Sequence, residues 1–517
     1  MDNQQRLAEL AKLMPEKVAL VWQDGQLTYE QLNSKVNQLG WALRKLGVQK
    51  SDRVAVQLLN VPEFVLSYFA IMRIGASLVP INPVYTKRET GYIINDAKPK
   101  VLITAPEFMG EIANISFQDD TERPKIVLTS EKASEGTFSL EKLLAEQPAA
   151  AIPVTYDYTD VCEIMYTSGT TGMPKGAMLT HKSIHSNTQA IIKWLEMTDA
   201  ERTLIVAPLF HIAAQTNTMA TTFYVGGTNY LVPRWVSALD TVQVLAKYKI
   251  TYFFGPPTML TFILNEPAAT NYDLSSMRIF LTGAAPMPVE VYHRFTERFG
   301  IEPLQGYGLS ETSPVVTFNP LRGKRKPESI GLPIDGVDAR IFDSEGKELP
   351  PGEVGEIVVK GSLVFKGYWN KEEETKAALQ GEWFHTGDLA YKDEEGYIFI
   401  VDRKKDMINR AGLKIYPREV EEEVYKYPGV LECAVVGVQD PVMGEEVALF
   451  LTVKEGQTVD PDELKNFCLG KMAKYKVPRY IKVIEQIPKT ASGKIVKPEL
   501  RKLATELFVS GNGRADK

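Results

Sequence analysis

The chain has 517 residues, more than three times the roughly 150 of a typical single domain, so it must build at least two cores. Its 59 Lys and Arg against 65 Asp and Glu give a net charge of -6, which excludes a strongly basic nucleic-acid scaffold and a disordered acidic chain. Three cysteines, Cys162, Cys433 and Cys468, lie far apart without a CxxC pair, which excludes a disulfide framework and a zinc cluster and fits a reducing, cytoplasmic compartment. The N-terminal MDNQQRLAELAKL carries acids and amides where a secretory leader needs a basic start and an apolar run. The apolar run 19–23 reads as a strand, and Thr28 with Gln31 makes a capping box. Leu32, Val36, Leu39, Leu43 and Leu46 then form the stripe of an amphipathic helix, closed by Gly47. A strand over 53–59 follows, then a cap at Asn60 with Pro62 in the first turn and a helix to about Arg73. The apolar stretch 64–83 is interrupted by Arg73, Gly75, Pro80 and Asn82, so it reads as helix plus strand rather than a membrane span. Together these make a β-α-β-α-β run, the signature of a sheet covered by helices.

The middle continues in this style, with strands near 203–207, 251–255 and 278–282. From about residue 337 the texture changes to short β runs with Gly and Pro turns, DARIFD, GEIVVKG and GYIFIVD. After Asp402 the order becomes helix 418–426, strands 431–438 and 447–453, helix 461–474, strand 479–485 and a last helix from Pro498. The tail VSGNGRADK has no apolar periodicity and is expected to fray. The fold class is therefore α/β: a large N-terminal domain of β-sheets flanked by helices plus a small β-rich subdomain, and a C-terminal α+β domain.

The densest chemical signal is YTSGTTGMPKG over 166–176, directly after an apolar run. Three glycines and four Ser/Thr hydroxyls offer backbone N–H groups and side-chain donors to an anion, and Lys175 adds a compact positive charge. It is not a Walker A loop, because Pro174 occupies the second glycine's place. TSGTTGMPKG resembles the signature of the adenylate-forming superfamily, and the family pattern continues in order: PLFHI at 208–212, GAAP at 283–286, GYGLSET at 306–312, GEVGEIVVKG at 352–361, WFHTGD at 383–388, VDRKKDMINRAGLKIYPREVE at 401–421 and PKTASGK at 488–494. The resemblance spans nearly the whole chain and points to the acyl-CoA synthetase branch.

That resemblance implies a two-step reaction in which a carboxylate attacks the α-phosphate of ATP, releasing pyrophosphate, and the thiol of CoA then displaces AMP. Two anions meet in the first step, so catalysis should rest on cations and oriented donors. By resemblance Lys494 bridges the carboxylate and α-phosphate, Thr312 donates to the α-phosphate, and Glu311 holds Mg2+ shared with the phosphates. Thr167, Ser168, Gly169, Thr170, Thr171, Gly172 and Lys175 are expected to cradle the phosphates. Gly306, Tyr307 and Gly308, with Gly283, Ala284 and Ala285, are expected around adenine, and Asp388 with Arg403 at the ribose. His211 argues against an amino-acid substrate, for which relatives carry an Asp here.

The resemblance also divides the chain into an N-terminal adenylation domain (1–401), a hinge (402–405) pivoting at Lys405, and a mobile C-terminal domain (406–517) that carries Lys494; Gly412 would line the tunnel for the CoA arm. RGKRK at 322–326 could meet the CoA 3′-phosphate or be a solvated face. The acyl pocket is expected from His211, Ala213, Met259 and Val315, with no obvious buried charge. This suggests an apolar acid, a medium- to long-chain fatty acid first, with aryl- and carnitine-type acids open and Gln215 or Asn217 available for a polar group. A nucleotide-binding protein without turnover is the non-enzyme alternative. Nucleic acid and a transmembrane segment are not expected; the assembly is expected to be a monomer or homodimer.

Overall fold

A computed structural model describes residues 1–117, 123–132, 135–153, 156–167, 173–403, 405–490 and 494–509. Within them the chain is α/β, with two large sheets, two five-stranded sheets and helices on their faces. The capping box at Thr28 is formed, with Gln31 Oε1 accepting the Thr28 N–H at 3.0 Å and Thr28 Oγ1 accepting the Gln31 N–H at 3.3 Å. It starts helix Tyr29–Lys45, which buries Leu32, Val36, Leu39 and Leu43. The apolar stretch after Pro62 divides into helix Pro62–Arg73 and strand Ser77–Pro80. No helix among the described residues is long and apolar enough to cross a membrane.

Two expectations for the first ninety residues fail. Strand Val18–Trp22 does not join the sheet of strands Arg53–Gln57 and Ser77–Pro80; it pairs in parallel with Thr228–Leu231 in the other large sheet, one strand in from the edge strand Gly25–Thr28. Nor does Asn60 cap a helix: the residue before the first turn is Val61, with no side-chain cap bond. The buried Asn60 amide donates to the carbonyls of Ala207 and Val232, both at 3.1 Å, and its Oδ1 accepts the Leu209 N–H at 2.7 Å. Loose backbone groups at two strand ends have a greater claim on that amide than a half-buried helix start that water can reach, because fully buried polar groups must be paired.

The seven-stranded sheet runs Thr137–Ser139, Lys125–Leu128, Val101–Thr104, Arg53–Gln57, Ser77–Pro80, Val161–Thr167 and Lys175–Thr180, parallel except for the last pair. The nine-stranded sheet has a parallel centre that includes Arg202–Ile205, Tyr252–Gly255, Ile279–Thr282 and Leu304–Gly308. Parallel sheets covered on both faces need continuous apolar runs, and strands such as Tyr252–Gly255 and Ile279–Thr282 are buried at every residue.

Strands Val337–Phe342, Gly355–Gly361, Trp383–Lys392 and Ile398–Arg403 form most of a small antiparallel sheet, the β-rich unit read from the turns. In the C-terminal sheet, strand Val430–Asp440 sends Cys433 and Val435 to one core with Val420, Val424 and Leu464 of two helices, and Ala434, Val436 and Val438 to another with Leu500 and Ala504. Burial on both faces explains why LECAVVGV lacks a polar alternation. Helix 461–474 of the sequence reading is shorter, Pro461–Leu469. The C-terminal sheet unit meets the rest through helix Pro417–Val424: Arg418 Nη1 donates to the Ile400 carbonyl at 2.9 Å, and Glu422 Oε2 accepts the Val289 N–H at 3.2 Å.

Candidate active site

A cavity opens where parallel strands Tyr252–Gly255, Ile279–Thr282 and Leu304–Gly308 end, the usual place for a ligand in an open α/β sheet. Phe254, Leu281 and Phe318 line its apolar part; His211, Tyr307 and Lys494 line the rest. Lys494, nearly two hundred residues from Tyr307 in sequence, thus enters the site from the C-terminal unit.

On the nucleotide side, Asp388 and Arg403 face each other on adjacent antiparallel strands, with Arg403 Nε 3.3 Å from Asp388 Oδ1. The Tyr307 hydroxyl donates to Asp388 Oδ2 at 2.7 Å, so the aromatic ring is tied to the carboxylate expected at the ribose. Burial lifts the Asp388 carboxyl above the usual value, against the opposing pull of Arg403. Gly308 needs to lack a side chain here, since a Cβ would fall 1.9 Å from the Pro314 carbonyl oxygen. Gly283, Ala284 and Gly306 also line the cavity.

On the acid side, His211 Nδ1 accepts the Ala213 N–H at 3.3 Å, which leaves the proton on Nε2. Burial, reinforced by the Lys494 charge, pushes the His211 imidazole down to about 3, so it is a neutral donor at pH 7. Burial first, then the Arg403 charge, push the Lys494 ammonium down to about 8, although Glu311 and Asp388 pull the other way. Glu311 is buried, and burial raises its carboxyl.

The sequence reading missed Tyr368, whose hydroxyl donates to Glu311 Oε1 at 2.9 Å while its ring lies 5.4 Å from Lys175 Nζ. One residue therefore joins Lys175, expected at the phosphates, to the glutamate expected at the metal. Its only signal was an aromatic pair, Tyr368 and Trp369, after Gly367. Among the described residues no cluster of three or more His, Cys, Asp or Glu could form a metal cage. A lone buried carboxylate linked through Tyr368 to Lys175 would instead suit a cation held mostly by phosphate oxygens, the habit of Mg2+.

Other expected site residues are placed differently. Ser168, Gly169, Thr170, Thr171 and Gly172 lie outside the described residues; Thr167 and Lys175 pair at the mouth of the hairpin that brackets them. The Thr312 hydroxyl is fully buried, donates to the Pro314 carbonyl and accepts the Leu309 N–H at 3.0 Å, so in this structure it serves a tight turn rather than the cavity. Ala213 and Val315 line the cavity, but Met259 packs into the core with Leu260 and Ile263, and Ala285 is also absent from the lining. Gln215 turns away, donating to the Leu209 carbonyl at 2.8 Å, whereas Asn217 lines the cavity. Gly412 sits in an exposed hairpin turn at φ 87°, away from the cavity; the positive φ alone accounts for glycine there. Lys405 is exposed just after the strand that ends at Arg403. In RGKRK, Arg322 pairs with Glu196 at 2.6 Å and Lys324 with Glu395 at 2.8 Å, as a solvated face would.

The AMP-binding enzyme family matches residues 7–369, and the AMP-binding enzyme C-terminal domain matches residues 419–494. The chain is 38% identical to a long-chain-fatty-acid–CoA ligase of Bacillus subtilis (strain 168), over 97% of this chain and 94% of that protein. It is also 38% identical to a feruloyl-CoA synthase of an Amycolatopsis species, over 95% of this chain and 97% of that protein. Among solved structures it is similar to the anthranilate CoA ligase AuaEII in complex with anthranoyl-AMP, with a TM-score of 0.91 and 30% identity over 98% of this chain and 97% of that one.

Proposed function

This chain belongs to the AMP-binding enzyme family, and from that premise we propose that it is an AMP-forming acid–thiol ligase that makes acyl-CoA in two steps at one cavity. In the first, a carboxylate oxygen attacks the α-phosphorus of ATP and pyrophosphate leaves; in the second, the sulfur of CoA attacks the acyl carbonyl and AMP leaves. The observation that carries this reading is the meeting of Lys494 with His211 and Tyr307 around one cavity. Lys494 is the cation suited to draw two anions together, and neutral His211 donates without adding a second charge to the acid's pocket. Asp388, Arg403 and Tyr307 would orient the nucleoside, a positioning contribution rather than a chemical one. Glu311, braced by Tyr368, would hold Mg2+ together with the ATP phosphates, and that ion would neutralise charge as pyrophosphate leaves.

The favoured acid is a medium- to long-chain fatty acid, supported by the Bacillus subtilis relative and by Phe254, Leu281 and Phe318 in the cavity wall. A second reading, an aryl acid with a hydrogen-bonding substituent, has its own observation. Asn217 Oδ1 and Thr282 Oγ1 are buried without a partner, and both residues line the cavity. An alkyl chain would leave each unpaired at a cost of about 1–3 kcal/mol, whereas a phenol or amine could satisfy one of them. Pyrophosphate release over a panel of fatty and hydroxyaryl acids, with and without CoA, tests both. Failure to form a CoA thioester with any acid would sink the first proposal; saturation only by hydroxyaryl acids would select the second reading.

The domain division at 402–405, with Lys405 as pivot, remains part of this proposal, as do the roles of Thr312 and Gly412. Lys494 enters the cavity here, and Gly412 is outside it, so the arrangement is suited to the first step. A second arrangement would have to carry Gly412 toward the thiol.

A further inference from the structure

Lys494 reaches the cavity from a short hairpin, and the base of that hairpin carries a second lysine. Lys489 and Ile495 face each other as an antiparallel bridge across the two stems, and the Val496 N–H donates to the Pro488 carbonyl at 2.9 Å. Lys494 is bonded twice to the residue after Lys489: the Thr490 N–H donates to the Lys494 carbonyl at 2.8 Å, and Thr490 Oγ1 accepts the Lys494 N–H at 3.1 Å. A displacement of Lys489 therefore passes to Lys494 through a single neighbouring residue. Both stems rest on the C-terminal unit, with Ile487 buried and Ile495 partly buried against the core of Ala434, Val436 and Leu500.

The Lys489 side chain meets both parts of the molecule. Its ammonium donates to both carboxylate oxygens of Glu432, at 2.6 and 2.7 Å, on strand Val430–Asp440 of the C-terminal unit. The same nitrogen lies over the Phe262 ring, 5.2 Å from its centroid, on helix Pro257–Asn265 of the N-terminal domain. That helix follows strand Tyr252–Gly255, whose Phe254 lines the cavity, and the Phe262 ring is backed by Trp235 at 5.4 Å between centroids. The ion pair is largely removed from water, with the Lys489 and Glu432 side chains 16% and 7% exposed. Such a pair adds little stability beyond an apolar pair of the same volume, so the fold alone does not call for it. What it supplies is direction: Glu432 engages the ammonium from one side and leaves the cation against the ring face, where the π quadrupole attracts it.

We propose that Lys489 is a positioning residue for the first step: aimed by Glu432 and seated on Phe262, it docks the C-terminal unit on the N-terminal domain at the root of the hairpin and so keeps Lys494 in the cavity. Lys489 itself does not line the cavity and acts through Lys494. Because its contacts span the two parts, an arrangement that withdraws Lys494 for the second step has to break the one with Phe262. A cation–π contact at a half-buried site shifts such an equilibrium by a factor of about 5 to 30. The kinetic role rests on the reaction proposed above, and the docking does not.

The test uses the full-length protein with Lys489→Met, Lys489→Arg, Phe262→Leu and the combination of Lys489→Met with Phe262→Leu. Methionine keeps an unbranched stem without charge, whereas arginine keeps a charge that can meet both carboxylate oxygens and lie on a ring. In Lys489→Met, pyrophosphate release with acid and ATP should lose at least about fivefold in kcat with the KM for ATP moved less than about twofold. Thioester formation from a supplied acyl-adenylate should stay within about twofold of wild type, and Lys489→Arg should keep most of the first step. Wild-type adenylation in Lys489→Met, or equal loss in both half-reactions, overturns the proposal, since a merely structural role would weaken both steps together. Phe262→Leu should repeat the pattern, and the combined variant should lose no more than Lys489→Met alone; losses that multiply would show two separate actions and also overturn it. A readout independent of turnover is acetylation of Lys494 by acetic anhydride, followed by peptide mass spectrometry. Lys494 should label at least about fivefold faster in Lys489→Met than in wild type or Lys489→Arg, and equal labelling refutes the docking. Should Lys489→Met fail to fold, Phe262→Leu carries both arms, with wild-type behaviour as the refuting result. If the wild type makes no acyl-adenylate at all, the reaction is misassigned, and the labelling still decides the docking.

Discussion

Replacing Lys494 by Ala removes one cation from a cavity that also holds neutral His211 and the buried carboxyls Glu311 and Asp388 nearby. The lysine is desolvated enough for its ammonium to be pushed down to about 8, so the effective dielectric is far below that of water. Taking that dielectric as about 20 and the separation from a transferring oxygen as about 4 Å, one charge pair is worth about 4 kcal/mol. Since about 1.4 kcal/mol is tenfold in rate, adenylation should fall about a thousandfold. Two assays separate the steps: pyrophosphate release with acid and ATP, and thioester formation from a supplied acyl-adenylate with CoA. The first should collapse and the second survive within a few-fold. Wild-type kcat/KM for adenylation should also decline as pH rises through about 8, because the working form is the protonated one, and Lys494→Arg should lack that decline. Equal loss in both half-reactions, or an adenylation loss below about tenfold, would refute the assignment of the charge to the first step.

Tyr368→Phe deletes the hydroxyl that donates to Glu311 and helps hold its carboxyl down, so that carboxyl should rise further and the acid limb of pyrophosphate release should move to higher pH. An unmoved limb would mean that ionised Glu311 is not needed. Gly308→Ala places a methyl 1.9 Å from a backbone oxygen that cannot yield, so ATP affinity measured by calorimetric titration should fall by at least about tenfold; unchanged affinity would remove this turn from the nucleotide site. Asp388→Asn should raise the KM for ATP and leave the KM for CoA in place, which initial-rate kinetics with each substrate varied will show. Phe280 packs between Phe253 and Phe295, each with ring centroids 4.9 Å away, so Phe280→Ala should cost about 3–5 kcal/mol in denaturant unfolding. A cost below about 1 kcal/mol would contradict the packing described.

The parts legible beforehand were those whose cause is local. Thr28 and Gln31 close a box on each other, and the stripe from Leu32 to Leu43 needs no distant information to be a helix. Part of the cavity lining was legible because His211, Gly283, Tyr307 and Lys494 stand in short segments of unusual composition, whereas Thr312, Met259 and Gly412, named from the same segments or nearby, do not line it. What could not be read was choice of partner. Val18–Trp22 selects a strand more than two hundred residues away, and Asn60 abandons a nearby helix start for carbonyls of other strands. Tyr368 was passed over for a related reason: nothing in its local run FKGYWN singles it out, and only the folded surroundings reveal a hydroxyl aimed at Glu311.

The strand Ile398–Arg403 ends on Arg403, two residues before the proposed pivot at Lys405. The residue gripping the ribose would thus also be the last clamped link before the axle. A filled ribose pocket would damp torsion at the pivot, and emptying it would slacken the joint, so departure of AMP and return of the swinging unit become one mechanical event. A nucleoside that occupied only the Asp388 and Arg403 end would therefore brake the whole cycle without ever meeting Lys494.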